Sequence, residues 1–276
     1  MPSVAVSDNP NFVPVADWPT LEAMATGFRE HLMPASGKLQ SRTITHTFDN
    51  GMKISHEFAA DSLTWTILEG QDKGKSGKAD YEAFEVRPGV FFIDFLKPAY
   101  NEVVTMVVDL ETGQAITGVS GFKDEDAQRR TYTVFMNATV YQDQPVQAFS
   151  ATEDLIGKHI LYRYSSKDAY EHIYLNKGTF VWHCLAGTER GLADAEKCKM
   201  LKLRDGLYLL FWTETIMPVE SLVVIDLEHM RSTGRFYCWD PKPREAVHVR
   251  FGSHATVVAV TSPMQTLRQV SQKGSV

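Results

Sequence analysis

Thr45-His46-Thr47-Phe48-Asp49-Asn50-Gly51-Met52-Lys53-Ile54-Ser55-His56-Glu57-Phe58 returns in altered form as Leu161-Tyr162-Arg163-Tyr164-Ser165-Ser166-Lys167-Asp168-Ala169-Tyr170-Glu171-His172-Ile173-Tyr174, 116 residues further on. After one inserted residue the offset becomes 117. It then pairs Trp65 with Trp182, Gly70 with Gly187, Gly89 with Gly206, Phe91 with Tyr208, and Asp109-Leu110-Glu111 with Asp226-Leu227-Glu228. Solenoid repeats run at roughly 20 to 50 residues, so a period this long is a domain duplication. Each copy is large enough to enclose its own core. The 276-residue chain is accordingly divided into 1–145 and 146–276.

Within each copy, runs of five to nine residues alternate in apolar character. They are separated by turn residues such as Asp49-Asn50-Gly51, Arg87-Pro88-Gly89, Asn176-Lys177-Gly178 and Asp205-Gly206. This predicts about eight antiparallel strands per copy. A meander of that size has two unpaired edges, which closure into a barrel removes. The expected fold is therefore mainly β: two tandem lipocalin-like barrels, each able to hold one small ligand. A short helix is expected before each. Asp17 as cap, Pro19 in the first turn and Leu21, Met24, Phe28 and Leu32 at helical spacing predict the first, ending at Pro34. Thr152 to Ile156 is the shorter counterpart in the second copy. The polar link from Tyr141 to Ser150 is short, which predicts that the barrels lie against one another.

Composition narrows the function. A net charge of −6 and a pI near 5.9 leave no broad basic surface for nucleic acid, and Lys73 to Lys78 reads as a solvated loop. No apolar run approaches the roughly 18 to 20 residues of a membrane helix. Met1 to Pro10 lacks the basic start and apolar block of a signal peptide, so a cytoplasmic location is expected. Cys184, Cys198 and Cys238 form no C-x-x-C pair, and the nine histidines form no H-x-H or H-E-x-x-H. No metal and no cofactor are expected. A homodimer stays open.

Strand residues two apart share a face. Tyr162 and Tyr164 thus point one way, as do Tyr170 and His172, and Tyr208, Trp212 and Glu214. If these faces line the second barrel, phenols and a carboxyl group converge there. A carboxyl in an aromatic, poorly hydrated cavity is hard to ionise and is suited to proton transfer near neutral pH. Tyrosine hydroxyls can polarise an oxygen where charge develops. In the first copy Tyr162 becomes His46, Tyr164 becomes Phe48, Tyr170 becomes Ile54, His183 becomes Thr66 and Glu214 becomes Lys97. The architecture persists while these groups change. Each tyrosine taken singly is also a good packing residue in a strand. His183 opposes the face of its neighbour Trp182 and reads as either a wall residue or a proton shuttle.

Two resemblances follow. Through Tyr162-Arg163-Tyr164-Ser165-Ser166, Ala169-Tyr170-Glu171-His172-Ile173-Tyr174-Leu175-Asn176, Trp182-His183-Cys184-Leu185-Ala186-Gly187, Gly191-Leu192-Ala193-Asp194 and Ile225-Asp226-Leu227, the whole chain resembles the MoaF family, called molybdenum cofactor biosynthesis protein F. That resemblance implies paired calycin-like barrels. The second half, from Leu155-Ile156-Gly157-Lys158-His159 through Tyr162, Tyr164, Tyr170 and Tyr208 to Trp212-Thr213-Glu214, is also similar to the cofactor-free phenolic acid decarboxylases. By that resemblance Tyr162 and Tyr164 hold a substrate oxygen, Tyr170 orients it, and Glu214 donates the proton. His183 stands where those enzymes carry an arginine.

The leading expectation is a cofactor-independent lyase or isomerase acting on a small aromatic or conjugated molecule. Its catalytic groups are Glu214, Tyr162, Tyr164 and His183, and Tyr170, His172, Tyr208 and Trp212 contact the substrate. The alternatives are a non-catalytic carrier of a small hydrophobic ligand and an accessory factor in molybdenum cofactor biosynthesis.

Overall fold

The computed structural model describes residues 17, 19–125, 128–142, 144–214 and 217–262; Met1 to Pro10 lie outside them. Strands β1 (Thr43–Phe48), β2 (Lys53–Phe58), β3 (Ser62–Glu69), β4 (Ser76–Arg87), β5 (Val90–Lys97), β6 (Glu102–Asp109), β7 (Gln114–Glu125) and β8 (Gln128–Thr139) form one antiparallel meander. Pairing of Thr47 with Thr139 and of Phe48 with Ala138 closes it into a barrel. The second copy has a two-residue strand β9 (Ser150–Ala151), followed by β10 (Lys158–Arg163), β11 (Ala169–Asn176), β12 (Thr179–Ala186), β13 (Ala193–Arg204), β14 (Leu207–Thr213), β15 (Val219–Asp226), β16 (Arg231–Asp240) and β17 (Glu245–Val260). Strands β10 to β17 close through the β10–β17 and β12–β13 pairings, and β9 adds to β13.

Strands with a solvated outer face alternate; strands between the barrels do not. In β5, Phe91, Ile93 and Phe95 enter the first barrel's core, while Val90 and Phe92 face outward into a second apolar cluster. In β14, Leu210 and Trp212 point inward, while Leu207 and Leu209 join that same outer cluster. The unbroken apolar runs in these strands are thus two buried faces, one per core, as burial on both sides requires.

The repeated Asp-Leu-Glu corner has its cause at this junction. Arg87 donates to Asp226 from Nε at 3.0 Å and Nη2 at 2.7 Å. Arg204, the duplicate of Arg87, donates to Asp109 from the same two nitrogens at 2.7 Å each. Glu228 and Glu111 add a second contact to each arginine. The two copies therefore clasp each other with quasi-twofold symmetry. Gly89 and Gly206 hold the adjoining turns at φ +77° and +66°, a region that favours glycine. Off this axis the symmetry breaks. Fully buried Arg235 donates to Glu220, to Thr105 Oγ1 at 2.9 Å and to Ser120 Oγ at 3.0 Å, where the first copy has Gly118.

The helical expectations need correction. The first helix is a single turn, α1 (Leu21–Met24), capped by Thr20 rather than Asp17. Gly27 at φ +98° interrupts it. The chain then runs on in three-residue turns, with Phe28 N on Ala25 O at 3.1 Å and Leu32 N on Arg29 O at 3.1 Å. Thr152 to Ile156 forms a turn closed by Ile156 N on Glu153 O at 2.9 Å, not a helix. Apolar spacing fails here because the segment lies on a barrel end, where any side of a turn can be buried. That barrel is the second: Leu21 N donates to Asp240 Oδ2 at 2.7 Å, and Phe28 stacks on Tyr164.

Burial alone would raise the Asp226 carboxyl, but Arg87 and the His229 hydrogen bonds bring it down to about 2. Asp226 thus stabilises the fold fully above its unfolded value of about 3.9, and that contribution is lost as pH falls through about 2. Breaking the buried pair by Asp226→Asn is expected to cost about 3–5 kcal/mol at neutral pH in urea unfolding. The gap from wild type should shrink towards pH 2; a gap independent of pH would contradict this.

Candidate functional site

Side chains of β10 to β17 that point inward leave a cavity of about 90 Å³ at one end of the second barrel, several times the ~10–15 Å³ that one water needs. Its walls are aromatic: Tyr164 just after β10, Tyr170 from β11, Trp182 from β12, Trp212 from β14 and Phe236 from β16. The segment containing α1 covers it with Leu21, Met24, Ala25 and Phe28. Phe28 stacks on Tyr164 with ring centroids 5.0 Å apart and meets Tyr170 edge-on at 6.2 Å. A segment from ahead of the first barrel is therefore the lid of the second.

Five of the eight candidate residues line this chamber: Tyr164, Tyr170, His172, Trp212 and Glu214. Tyr162 points inward but sits deeper, its hydroxyl 2.9 Å from that of Tyr174. Tyr208 also points inward, but its hydroxyl donates to Asp154 at 3.2 Å, away from the chamber. Residues two apart share a face yet stand about 6.5 Å apart along the strand, so facing inward does not bring them to one level. His183 is on the outer wall, with Nδ1 3.7 Å from Glu171, which also meets His159 at 3.3 Å. Neither an anchor nor a proton shuttle for the chamber can be made from that position.

Glu189 was not legible in the sequence. It lies in the turn after β12, where no period-two pattern applies, and its counterpart Asp72 is acidic too, so the comparison of copies hides it. It lines the chamber and accepts the Tyr170 hydroxyl at 2.8 Å. Burial raises its pKa, against the pull of that hydrogen bond. Glu214 is raised to about 8, first by burial and then by repulsion from Glu189 and Glu196. The nearby Trp212 indole acts weakly the other way, although its Nε1 has no partner in hydrogen-bond geometry. Among the described lining residues there is no lysine or arginine.

Three buried nitrogens around the chamber are left unpartnered: His172 Nδ1, Trp182 Nε1 and Trp212 Nε1. Burial lowers His172 to about 3, so its ring is neutral at physiological pH. His172 is not peculiar to the second copy, since His56 occupies the same position in the first barrel. There His46 and His56 lie with rings 4.9 Å apart and unpartnered nitrogens, both lowered by burial. Where the second barrel has Glu214, the first has Lys97, paired with Glu102 at 3.2 Å and over the Trp65 and Tyr100 rings.

The cysteines are free, and burial pushes the Cys184 and Cys198 thiols up to about 11, away from reactivity. Among the described residues no group of three or more His, Cys, Asp or Glu is arranged to hold a metal ion, and no helix is long and apolar enough to cross a membrane.

A protonated Glu214 in the fold against an ionised one in the unfolded chain lowers stability as pH rises from about 4.3 to about 8. Glu214→Gln should therefore stabilise the protein by about 1–3 kcal/mol at pH 8. The gain should vanish near pH 4. Urea midpoints across this range test it, and a destabilised variant at pH 8 would contradict it.

Two family models match the chain. Residues 16–124 match the model of the MoaF N-terminal domain and residues 149–261 that of the MoaF C-terminal domain. The chain is 35% identical over 230 residues to "Protein MoaF" of Klebsiella aerogenes, covering 77% of this chain and 84% of that one. Among solved structures, "Crystal Structure of a putative beta-lactamase from Burkholderia vietnamiensis" aligns at 13% identity and a TM-score of 0.32, over 39% of this chain and 96% of that one. The DNA polymerase beta subunit of Streptococcus pyogenes aligns at 6% identity and a TM-score of 0.14, over 85% of this chain and 82% of that one. Likeness this slight carries no argument.

Proposed function

The chain belongs to the MoaF family, and from that premise we propose that it is a small-molecule-binding protein with a role tied to molybdenum cofactor biosynthesis, holding a conjugated guest in the C-terminal barrel. The observation that carries this reading is the set of unpartnered nitrogens on His172, Trp182 and Trp212 around an aromatic chamber. A buried polar group without a partner costs about 1–3 kcal/mol, and a guest that supplies the missing hydrogen bonds recovers it. The aromatic walls favour a flat molecule, by stacking and edge contacts. The role in cofactor formation comes from the family resemblance and not from any basic cradle for phosphate.

A second reading, acid/base catalysis on the guest, is favoured by Glu214, whose pKa near 8 suits proton exchange at neutral pH. The reaction would not be decarboxylation of a phenolic acid. A bound carboxylate would face Glu189 and Glu214 with no lysine or arginine among the described lining residues, and His183 is outside. Loss of turnover in Glu214→Gln with binding retained would support catalysis, and unchanged turnover would discard it.

Protein isolated gently from its own cells and then denatured is expected to release about one equivalent of an ultraviolet-absorbing small molecule, read by mass spectrometry. Val249→Phe, which fills the chamber, should release less than a tenth of that. Cells lacking the chain should lose molybdoenzyme activity and regain it with the wild type but not with Val249→Phe. Equal release from both proteins, or rescue by both, would contradict the proposal.

A further inference from the structure

We propose that the chamber selects a guest bearing a protonated nitrogen, an amine or amidine on an unsaturated or aromatic frame, whose N–H groups are taken by Glu189 and Glu214. This rests on the reading of the chamber as a ligand site and names the chemical class of the ligand.

Two carboxyl groups line the chamber, and the described lining residues include no lysine or arginine to balance them. An anionic guest would set its charge beside two carboxyl groups in a poorly hydrated space. A cation does the reverse. Its charge relieves the repulsion between Glu189 and Glu214, and charge-assisted hydrogen bonds to carboxylates are about twice as strong as neutral ones. Phe28, Tyr164, Tyr170, Trp182, Trp212 and Phe236 surround the same space, and aromatic faces attract cations by about 0.5–2 kcal/mol each. An independent observation also points to a guest. His172 and Trp212 are 4% and 3% exposed, and each has a ring nitrogen without a partner. Neutral His172 Nδ1 can serve as acceptor or donor according to its tautomer, while the indole N–H groups are donors that suit a lone pair elsewhere on the frame.

The first barrel supplies the contrast. Lys97 replaces Glu214 there, with its ammonium over Trp65 and Tyr100. That barrel thus carries a built-in cation among its aromatic rings; the second offers acids and rings and waits for one.

Burial and the neighbouring Glu189 hold the Glu214 proton more tightly, so uptake of a cation is expected to release it. At pH 7, titration calorimetry with benzamidinium, benzamide and benzoate separates the cases. Benzamidinium should bind about tenfold or more tighter than benzamide, with benzoate weakest. Its heat should vary with buffer ionisation enthalpy, reporting proton release. Glu214→Gln and Glu189→Gln, checked as folded by circular dichroism, should each bring benzamidinium to within about threefold of benzamide measured on the same variant. Benzamide or benzoate binding as tightly as benzamidinium would overturn this inference while leaving the ligand chamber standing. So would a preference that survives both substitutions. Failure of all three probes to bind would overturn both.

Discussion

The fate of buried carboxylates organises this molecule. Between the barrels, Asp109 and Asp226 each meet an arginine of the other copy in a two-pronged contact, and the two copies are fixed face to face. Burial of an unpaired charge would cost several kcal/mol, so this arrangement accepts little change, and both arginines and both Asp-Leu-Glu corners persist across the duplication. Inside the second barrel, Glu189 and Glu214 have no arginine or lysine among the described residues around them and hold their protons more tightly. The first arrangement is architecture. The second is a site with an unmet requirement.

The clasp also explains how a segment from ahead of the first barrel becomes part of the second barrel's site. With the barrels locked, the chain from Leu21 to Met33 can cross the junction, with Leu32 and Met33 packed on the inter-barrel cluster and Phe28 in the second barrel's core. Leu21 is tied to Asp240 at the chamber mouth. Opening the chamber therefore needs movement of a one-turn helix and a run of three-residue turns, which hold less hydrogen bonding than a strand. The domain that binds and the segment that covers it are distant in sequence and joined in space.

Much of this was legible beforehand. Internal alignment and strand alternation were sufficient for two barrels, because a closed meander is the economical solution for eight alternating strands. Strand parity, the contrast between the copies and the decarboxylase resemblance together point to Tyr164, Tyr170, His172, Trp212 and Glu214, which line the chamber. Facing does not give depth, and that is why Tyr162 and Tyr208, with the correct parity, lie beyond the chamber. Glu189 was missed because a turn has no period. The leading helix was overread because Leu21, Met24, Phe28 and Leu32 satisfy helical spacing while Gly27, in a left-handed conformation, breaks the helix between them. Comparing the copies worked best where they differ, at Glu214 and Lys97, and was blind where both carry the same type, at His172 and His56.

The claim on which the rest turns is that Glu214 lies in a carboxyl-rich chamber with no lysine or arginine among its described lining residues, and is uncharged at neutral pH. Carbon-13 NMR of the glutamate side-chain carboxyls, with the Glu214 resonance assigned by its loss in Glu214→Gln, measures this directly. The account predicts a titration midpoint near pH 8 in the empty protein. A midpoint between about 4 and 5, the range of a solvated glutamate, would contradict it.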